Sequence, residues 1–565
     1  MKDFKKCKCG MFIHHILPEA HYADGTQPQT IDEMADAFDA EGFADSLQRM
    51  GIEYIIFTAW HFAVQPLYPS AVSEKWRPGN CPKRDLLGDI IESVKNRRIL
   101  VLFYTHPRDG HDFSEDDKEK TGWGRGTHET DNQQPNLDNF NYERWNEYML
   151  ELYEELADRY ADRLTGFYTD GNGPKDPADY LHPHKDHQVI NYLRIRNIMK
   201  SRNPELIAIQ NYYGNVYTND YGNSETYAAY ISSVFKHKDA AKWHCSKTVA
   251  TTLMPFSTGW MHAKIRNEES VVNTSLEDIL QYTLFNGSCS VCGNVLFASG
   301  PYVEGNLWST GVEEYLSALR TELSRYNKSF MDACPSKSYP TLAGSTLEQN
   351  QYRFWMTGED EKYEYLHCVK LPEDGVLEWG CSEDGIRLIK PEAVTGNITI
   401  TGYMQTESGY RMTYIGTPDR VDTVIRFNRE GTSAPCGYEW IANTDKRIAY
   451  FGNWCYTSVW VYDEKNTANG CYEREVHYSN REESFLYLAF EGSIVELYGV
   501  LDKDMGAADV YIDGIYCATV NQQSAERKAH EMCFRSIDLY GGKHILQIYT
   551  KDDRMFTVDA IKIIY

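Results

Sequence analysis

Apolar and polar positions alternate over roughly the first 330 residues in blocks of strand length and helix length. Short, continuously apolar runs suit strands that are buried on both faces, and the stretches between them carry apolar residues at helical spacing. The runs of strand length are residues 11–13, 51–59, 97–105, 164–170, 206–211 and 294–299. Repetition of strand and helix over this length favours an α/β fold with a (β/α)8-type barrel. A doubly wound sheet ranks second, because no strand is followed by the G-x-G-x-x-G turn that binds a dinucleotide.

Helical spacing is clearest on either side of these runs. Residues 32–50 carry apolar side chains three or four positions apart and are expected to form one amphipathic helix. A second helix is expected to begin at residue 81, with Pro82 in its first turn. Further helices are predicted over residues 140–162, 187–201, 275–285 and 311–328. These helices would cover the outside of the barrel.

Beyond residue 340 the helical spacing stops, and short strands separated by turn residues take over. This pattern is typical of β-sandwiches. A second all-β unit begins near residue 440 and contains VYIDGIY, in which Asp513 and Gly514 are expected to form a hairpin turn. We therefore expect three domains, a barrel over residues 1–338 followed by all-β sandwich domains over residues 339–435 and 436–565.

Net charge and cysteine content indicate which binding partners and which cellular location to expect. The 565 residues carry a net charge of −25, which disfavours binding to nucleic acid or to an anionic membrane. No apolar run is long enough to span a bilayer, and none near Met1 has the length of a signal peptide. Among the 14 cysteines, Cys289 and Cys292 form a C-x-x-C without a second pair at zinc-site spacing, so buried free thiols are expected. These features predict a cytoplasmic protein.

Polar and aromatic residues stand where the predicted barrel strands end. Barrel enzymes build their active sites at the carboxyl ends of the strands, so these residues are expected to converge at one rim. They are His14, Trp60, His61, Tyr104, His106, Asp170, Asn211 and Tyr213. Asp170 ends the run LTGFYTD and is followed by Gly171, Asn172 and Gly173. An ordinary turn residue and a catalytic carboxylate are both compatible with this position.

Several segments resemble, in order, the α-L-fucosidases of glycoside hydrolase family 29. CGMFIHH is similar to that family's K-F-G-I-F-I-H-W-G, and GIEYIIFTAWHF is similar to A-K-Y-x-x-x-T-A-K-H-H-D-G-F. CPKRDLLG resembles the family's G-P-K-R-D-L-V-G, and GFYTDGNG resembles the stretch that ends W-F-D-G. NVLFASGPYVEGNL resembles the stretch L-L-L-N-V-G-P-x-x-D-G. NPELIAIQNYYGNVYTNDYGNSETY is similar to a P-x-x-x-x-N-x-R-W-G segment that runs to an acidic T-P-E. The resemblance covers roughly residues 5–430, including the first β-sandwich.

The resemblance implies an exo-acting retaining glycosidase that releases fucose or a related pyranose from an oligosaccharide or glycoconjugate. Asp170 matches the nucleophile, which forms a covalent glycosyl-enzyme. Glu225 aligns with the acid of T-P-E and is the expected general acid/base, with Asp220 and Glu205 as fallbacks. The residues expected to contact the sugar are His14, His15, Trp60, His61, Tyr104, His106, Asn211, Tyr213 and Trp260. Because this family uses no metal, neither a metal nor another cofactor is expected.

The chain departs from the family pattern in the part that contacts the sugar. Trp60 stands at the first His of K-H-H-D-G-F, the Asp-Gly pair is missing, and Tyr213 replaces a Trp. A site that loses polar groups changes its specificity strongly, so a sugar other than fucose is one alternative. A catalytically inactive glycan-binding barrel is another. A third is a metal-dependent hydrolase that uses His182, His184 and His187, since their spacing suits zinc.

Residues 436–565 resemble the galactose-binding-like jelly rolls that are appended to many glycoside hydrolases, through ADVYIDGIYCATV and the closing VDAIKI. Carbohydrate binding and simple packing against the barrel are both compatible with this domain. The expected partner of the protein is therefore a glycan substrate, without nucleic acid or membrane. Association into a homo-oligomer is left open.

Overall fold

In the computed structural model the described residues are 4–61, 63–107, 110, 112–125, 140–170, 190, 192–211, 221–227, 248–254, 264–265, 268–269, 272, 274–289, 294–336, 338–339, 354–359, 362–382, 385–406, 408–431, 437–458, 470–472, 475–482, 484–539 and 541–565.

A closed barrel of parallel strands forms the first part of the described chain, as predicted. Its strands are β1 (Cys9–Ile13), β2 (Tyr54–Trp60), β3 (Leu100–Thr105), β4 (Gly166–Thr169), β5 (Ile207–Asn211), β6 (Tyr221–Tyr227), β7 (Thr248–Met254) and β10 (Asn294–Ala298). They pair in this order, and β10 closes the ring on β1. The hairpin of β8 (Lys264–Ile265) and β9 (Glu268–Glu269) lies between β7 and β10 in the chain. Strands β6 and β7 escape prediction because they contain no continuous apolar run.

Helices occupy connections between the barrel strands and the stretch after β10. They are α1 (Ile31–Ala37), α2 (Ala40–Arg49), α3 (Ala71–Trp76), α4 (Leu86–Lys95), α5 (Glu115–Thr121), α6 (Tyr142–Tyr160), α7 (Tyr192–Arg202), α8 (Leu276–Cys289) and α9 (Val312–Leu323). Two of the predicted helices differ from the structure. The helix expected over residues 32–50 is divided, because Phe38 is extended and the Asp39 carboxylate caps a new helix. The helix expected from residue 81 begins instead at Leu86, where Asp85 is the capping residue.

Side chains of the barrel strands alternate between the lumen and the surrounding helices. The lumen holds Phe12, Tyr54, Ile56, Leu100, Leu102, Tyr104, Tyr168, Ile209 and Leu296. Intervening residues such as Ile13, Phe57 and Phe103 belong to the core between strands and helices. This division follows from the two-residue repeat of a β-strand. It also determines which residues at the strand ends can face the lumen.

The next part of the described chain is an antiparallel β-sandwich. Its strands are β11 (Cys334–Pro335), β12 (Phe354–Glu359), β13 (Tyr363–Cys368), β14 (Val376–Gly380), β15 (Arg387–Ala393), β16 (Asn397–Gln405), β17 (Gly409–Thr417) and β18 (Thr423–Glu430). They form sheets of order β11-β12-β13-β18-β15 and β14-β17-β16. Leu366 from the first sheet and Met412 from the second share one hydrophobic core. Trp355 and Tyr365 of the first sheet pack with the helical layer of the barrel.

A further all-β region ends the chain. Its strands are β19 (Tyr438–Ala442), β20 (Ile448–Phe451), β21 (Cys455–Ser458), β22 (Glu475–Ser479), β23 (Phe485–Glu491), β24 (Ile494–Leu501), β25 (Ala507–Ile512), β26 (Ile515–Asn521), β27 (Lys528–Arg535), β28 (Lys543–Thr550), β29 (Phe556–Val558) and β30 (Ala560–Ile564). They form sheets of order β19-β30-β24-β27, β20-β23-β28-β25-β26 and β21-β22-β29. The predicted hairpin turn at Asp513 and Gly514 is confirmed, since both residues have positive φ between paired strands. Two all-β regions after a barrel match the predicted architecture, whereas the boundaries at residues 338 and 435 stay predictions.

Two further expectations concern the membrane and the cysteines. Within the described ranges, no helix combines the length and the apolar character needed to cross a membrane. Cys7 and Cys9 are buried. Cys292 lies outside the described residues.

His15 is buried between the barrel wall and the helices. Its ring centroid lies 5.0 Å from that of Phe38 and 6.1 Å from that of Phe57. Its Nε2 atom is buried and has no hydrogen-bond partner in the described part of the chain. Burial lowers the pKa of His15 to about 4, because the charged imidazole would lose its hydration without gaining a partner.

We expect His15 to make the fold sensitive to acid. In the unfolded chain His15 binds a proton below the ordinary histidine pKa of 6.5, whereas in the folded protein it binds one only near pH 4. The free energy of unfolding therefore falls as pH decreases across this interval. The His15 contribution is roughly 3 kcal/mol. In urea titrations at a series of pH values, His15→Leu should lose less stability than the unmodified protein between pH 6.5 and 4. Parallel curves for the two proteins would contradict this origin of acid sensitivity.

Candidate active site

Asp170 lies directly after β4, beside Tyr104 of β3. The Tyr104 hydroxyl donates a hydrogen bond of 2.6 Å to Oδ2 of Asp170. Strand register pairs Tyr104 with Tyr168, and Asp170 shares a strand face with Tyr168 because the two are two residues apart. Tyr104 is fully buried, whereas Asp170 is partly exposed. The carboxylate therefore stands where the lumen of the barrel meets solvent.

The main chain of Asp170 is held on both sides. Its N–H donates to the carbonyl oxygen of Thr105 at 3.0 Å, and its carbonyl oxygen accepts from the Tyr192 hydroxyl at 3.0 Å. Thr105 is also fixed, since its hydroxyl donates to the Tyr168 carbonyl oxygen and accepts from Tyr153 at 2.7 Å. Tyr192 begins α7 and Tyr153 belongs to α6, so two helices behind the wall orient the carboxylate.

Histidines surround the Tyr104 ring. His61 stacks on it with centroids 5.1 Å apart and 15° between the planes, and His14 meets it edge-on at 4.6 Å. His106 lies 5.2 Å from His61. His14, His61 and His106 are 4%, 8% and 0% exposed, so their rings are enclosed by protein. We call His14, His61, Tyr104, His106 and Asp170 the rim cluster.

His14 is neutral over the physiological pH range. Burial, the largest influence, lowers the pKa of His14 to about 4, the negative charge of Asp170 opposes this change, and His106 adds to it. A neutral imidazole has one donor and one acceptor nitrogen, whereas a charged one can only donate. The neutral form therefore matches a hydroxyl group, which can also donate and accept.

A bulge in β2 decides which of its last residues reaches the lumen. Thr58 pairs with Tyr104, but the next pair joins Trp60, rather than Ala59, to Thr105. The extra residue puts Trp60 on the outer face, where its ring meets Tyr153 at 5.0 Å. Its indole N–H donates to the His106 carbonyl oxygen at 3.2 Å. Trp60 therefore supports the wall behind the rim cluster, and His61 is the residue of this pair that joins the cluster.

The other predicted site residues fall into two groups. His15 lies on the outer face of the wall, between Phe38 and Phe57, and is separated from the rim cluster by the alternation of β1. For Asn211 and Glu225 the main chain is described: Asn211 pairs with Asn223, and Glu225 of β6 pairs with Thr252 of β7. Glu225 thus belongs to a barrel strand. Tyr213, Trp260 and the fallback Asp220 lie outside the described residues.

The remaining candidates are Glu205 and the three histidines of the predicted metal site. Glu205 precedes β5, at the end of the barrel opposite the rim cluster. His182, His184 and His187 lie outside the described residues. Among the residues that are described, no group of three or more His, Cys, Asp and Glu side chains could hold a metal ion.

The supporting residues were not predicted from the sequence. Tyr153, Tyr192 and Trp145 look like ordinary apolar positions of helices, yet each directs its polar tip to a strand end. The Trp145 indole N–H donates to the Pro107 carbonyl oxygen at 2.9 Å. The available signal is that buried Tyr and Trp residues need a hydrogen-bond partner. That requirement indicates a partner but does not identify it.

Solved structures with similar folds include fucosidases. An alpha-L-fucosidase GH29 from Bacteroides thetaiotaomicron, solved as a trapped covalent intermediate, is 16% identical, and the match covers 76% of this chain and 97% of that one at a TM-score of 0.52. An alpha-L-fucosidase from Vibrio sp. strain EJY3 is 14% identical, with 100% of this chain and 97% of that chain covered at a TM-score of 0.52. These likenesses concern the fold.

Curated relatives match over short stretches. An A type blood alpha-D-galactosamine galactosaminidase from Flavonifractor plautii is 26% identical over 115 residues, which are 20% of this chain and 10% of the relative. An A type blood N-acetyl-alpha-D-galactosamine deacetylase from the same organism is 30% identical over 93 residues, 16% of this chain and 12% of the relative. The matches thus span about a tenth of the length of these relatives.

A family model described as alpha-L-fucosidase matches residues 18–319. This span is more than half of the 565 residues and includes four of the five residues of the rim cluster. The chain therefore belongs to the alpha-L-fucosidase family of glycoside hydrolases.

Proposed function

We propose that this glycoside hydrolase removes a terminal pyranose from a glycan with retention of configuration, using Asp170 as the nucleophile. The observation that carries the proposal is the partly exposed Asp170 carboxylate, which accepts the Tyr104 hydroxyl hydrogen bond at the barrel rim. A partly exposed carboxylate bounded by buried rings and neutral imidazole suits attack on a small hydroxylated ring.

The reaction would proceed in two displacements. In the first, an Asp170 oxygen forms a bond to the anomeric carbon while the glycosidic bond breaks and the leaving oxygen takes a proton from Glu225. In the second, Glu225 removes a proton from water, the water oxygen attacks the anomeric carbon, and the Asp170 ester bond breaks. Retaining enzymes need the two carboxyl groups about 5–5.5 Å apart. Glu225 belongs to β6, two strands from β4, and this position supports Glu225 as the second carboxyl group.

Tyr104 would orient the nucleophile. Its hydrogen bond engages Oδ2 of Asp170 and restricts rotation of the carboxylate. The bonded main chain of Asp170 limits its movement, so attack needs little reorganisation.

The sugar is fucose or a related pyranose. Family membership over residues 18–319 favours fucose. The second candidate is a galactosamine-type sugar, favoured by the short matches to enzymes that act on A type blood galactosamine and by the altered K-H-H-D-G-F segment. Rates on a panel of aryl glycosides distinguish the two, and binding without turnover would identify the inactive glycan-binding alternative.

The glycan-binding role of residues 436–565, the cytoplasmic location and homo-oligomerisation stay predictions.

Asp170→Ala should lose at least about a thousandfold in kcat, because the variant lacks the carboxylate that forms the glycosyl ester in the proposed mechanism. Added azide should restore turnover of an activated aryl glycoside and yield a glycosyl azide of inverted configuration, identified by NMR. Asp162→Ala is the control, since that side chain is 80% exposed. Unchanged turnover in Asp170→Ala would exclude the residue as nucleophile.

Tyr104→Phe should lower kcat/KM by about ten to a hundredfold, the effect of removing a hydrogen bond to a charged group. Steady-state kinetics with one aryl glycoside measure it. Tyr68→Phe is the matched control, because Tyr68 is also fully buried but packs against Tyr160 in the helical layer. Equal kinetics for the two variants would contradict the role of Tyr104.

Glu225→Ala should slow hydrolysis most for substrates whose leaving group must be protonated to depart. We expect a loss of about a hundredfold or more in kcat/KM for a phenyl glycoside and little loss for a dinitrophenyl glycoside, whose leaving group departs unprotonated. Glu205→Ala, at the other end of the barrel, should leave both values unchanged. An equal loss on both substrates in Glu225→Ala would assign the proton to another residue.

A further inference from the structure

The chain turns sharply after His61 through residues in a rare conformation. Ala63 and Val64 have φ values of 61° and 40°, in the left-handed region that favours glycine. For a β-branched residue such as Val64 this conformation is a genuine outlier. Such backbone persists only where its surroundings hold it in place. The Val64 N–H donates to the His61 carbonyl oxygen at 3.2 Å, so the turn and His61 are directly connected.

Arg77 holds this turn from outside the rim cluster. Its Nη1 atom donates to the carbonyl oxygens of both strained residues, at 2.5 Å to Ala63 and 3.0 Å to Val64. Arg77 is 3% exposed. Its guanidinium carbon lies 3.5 Å from the ring centroid of Phe113, and its Nε lies 3.4 Å from the Asp117 carboxylate. A buried cation with fixed neighbours on several sides can hold two carbonyl groups at a set separation.

We propose that Arg77 is a positioning residue for sugar binding, because it fixes the turn that holds the His61 ring in the rim cluster. The Arg77 guanidinium bonds the carbonyl groups of the turn, and the turn is bonded to His61. The His61 ring stacks on Tyr104 with centroids 5.1 Å apart. The Tyr104 hydroxyl donates a hydrogen bond to Asp170. This inference rests on the proposed function in that His61 contacts the substrate.

The residue type fits this role. Arginine presents several N–H groups in a rigid plane, whereas lysine is a flexible point charge. The segment GIEYIIFTAWHFAV also lacks the Asp-Gly pair of the K-H-H-D-G-F pattern that it resembles. Without a glycine to adopt positive φ freely, the turn needs an external partner, and Arg77 supplies it.

The test combines loss of Arg77 with relief of the strain. Arg77→Gln should raise KM and lower kcat/KM of the full-length protein by about tenfold on an aryl glycoside, with a smaller change in kcat. Ala63→Gly adopts the same φ without strain and removes only a methyl group, so it should restore most of kcat/KM in the Arg77→Gln background. Arg49→Gln is the control, since Arg49 pairs with Glu313 on the surface. Should Arg77→Gln fail to fold, Arg77→Lys replaces it, with the same expected rescue.

A second readout does not depend on turnover. In histidine-labelled protein, the His61 NMR signal, assigned with His61→Gln, should move in Arg77→Gln and return in the double variant, while the signal of buried His367 stays fixed. An unmoved His61 signal with unchanged kcat/KM would overturn the proposal. So would a double variant that recovers its melting temperature but not its KM or its His61 signal. If the unmodified protein turns over no glycoside, the proposed function fails, and the His61 signal alone decides the role of Arg77.

Discussion

Side-chain alternation along the parallel strands of a closed barrel is the constraint on which the rest of this structure depends. It directs Phe12, Tyr104 and Tyr168 into the lumen and their neighbours into the helical core. One extra residue in β2 interrupts the alternation. Because of that bulge, the indole of Trp60 lies behind the wall and the imidazole of His61 lies in the rim cluster.

The helical layer controls the geometry of the rim through polar contacts. Hydroxyl groups of Tyr153 and Tyr192 and the indole of Trp145 each bond a strand end or the residues just after it. Buried helix positions therefore carry part of the site. The enclosure that fixes these groups also keeps His14 uncharged.

The sequence supports the barrel, the all-β regions and the convergence of His14, His61, Tyr104, His106 and Asp170, since each depends on local patterns and strand ends. It does not find β6 and β7, because YGNSETY and TVATTLM lack a continuous apolar run. The apolar spacing of residues 32–50 also conceals the cap at Asp39 that divides the helix. A one-residue bulge cannot be recognised from the residue types alone, so the sequence prediction places Trp60 on the wrong face of the barrel wall.

The proposed retaining reaction requires a covalent intermediate on Asp170. The most direct measurement incubates the protein with a 2-fluoro glycosyl fluoride of the sugar that it hydrolyses, followed by mass spectrometry of its peptides. We expect one added 2-fluoro-glycosyl group, on the peptide that contains Asp170. A label on a different carboxylate, or rapid hydrolysis with inversion and no label, would contradict the role of the carboxylate that Tyr104 holds at the barrel rim.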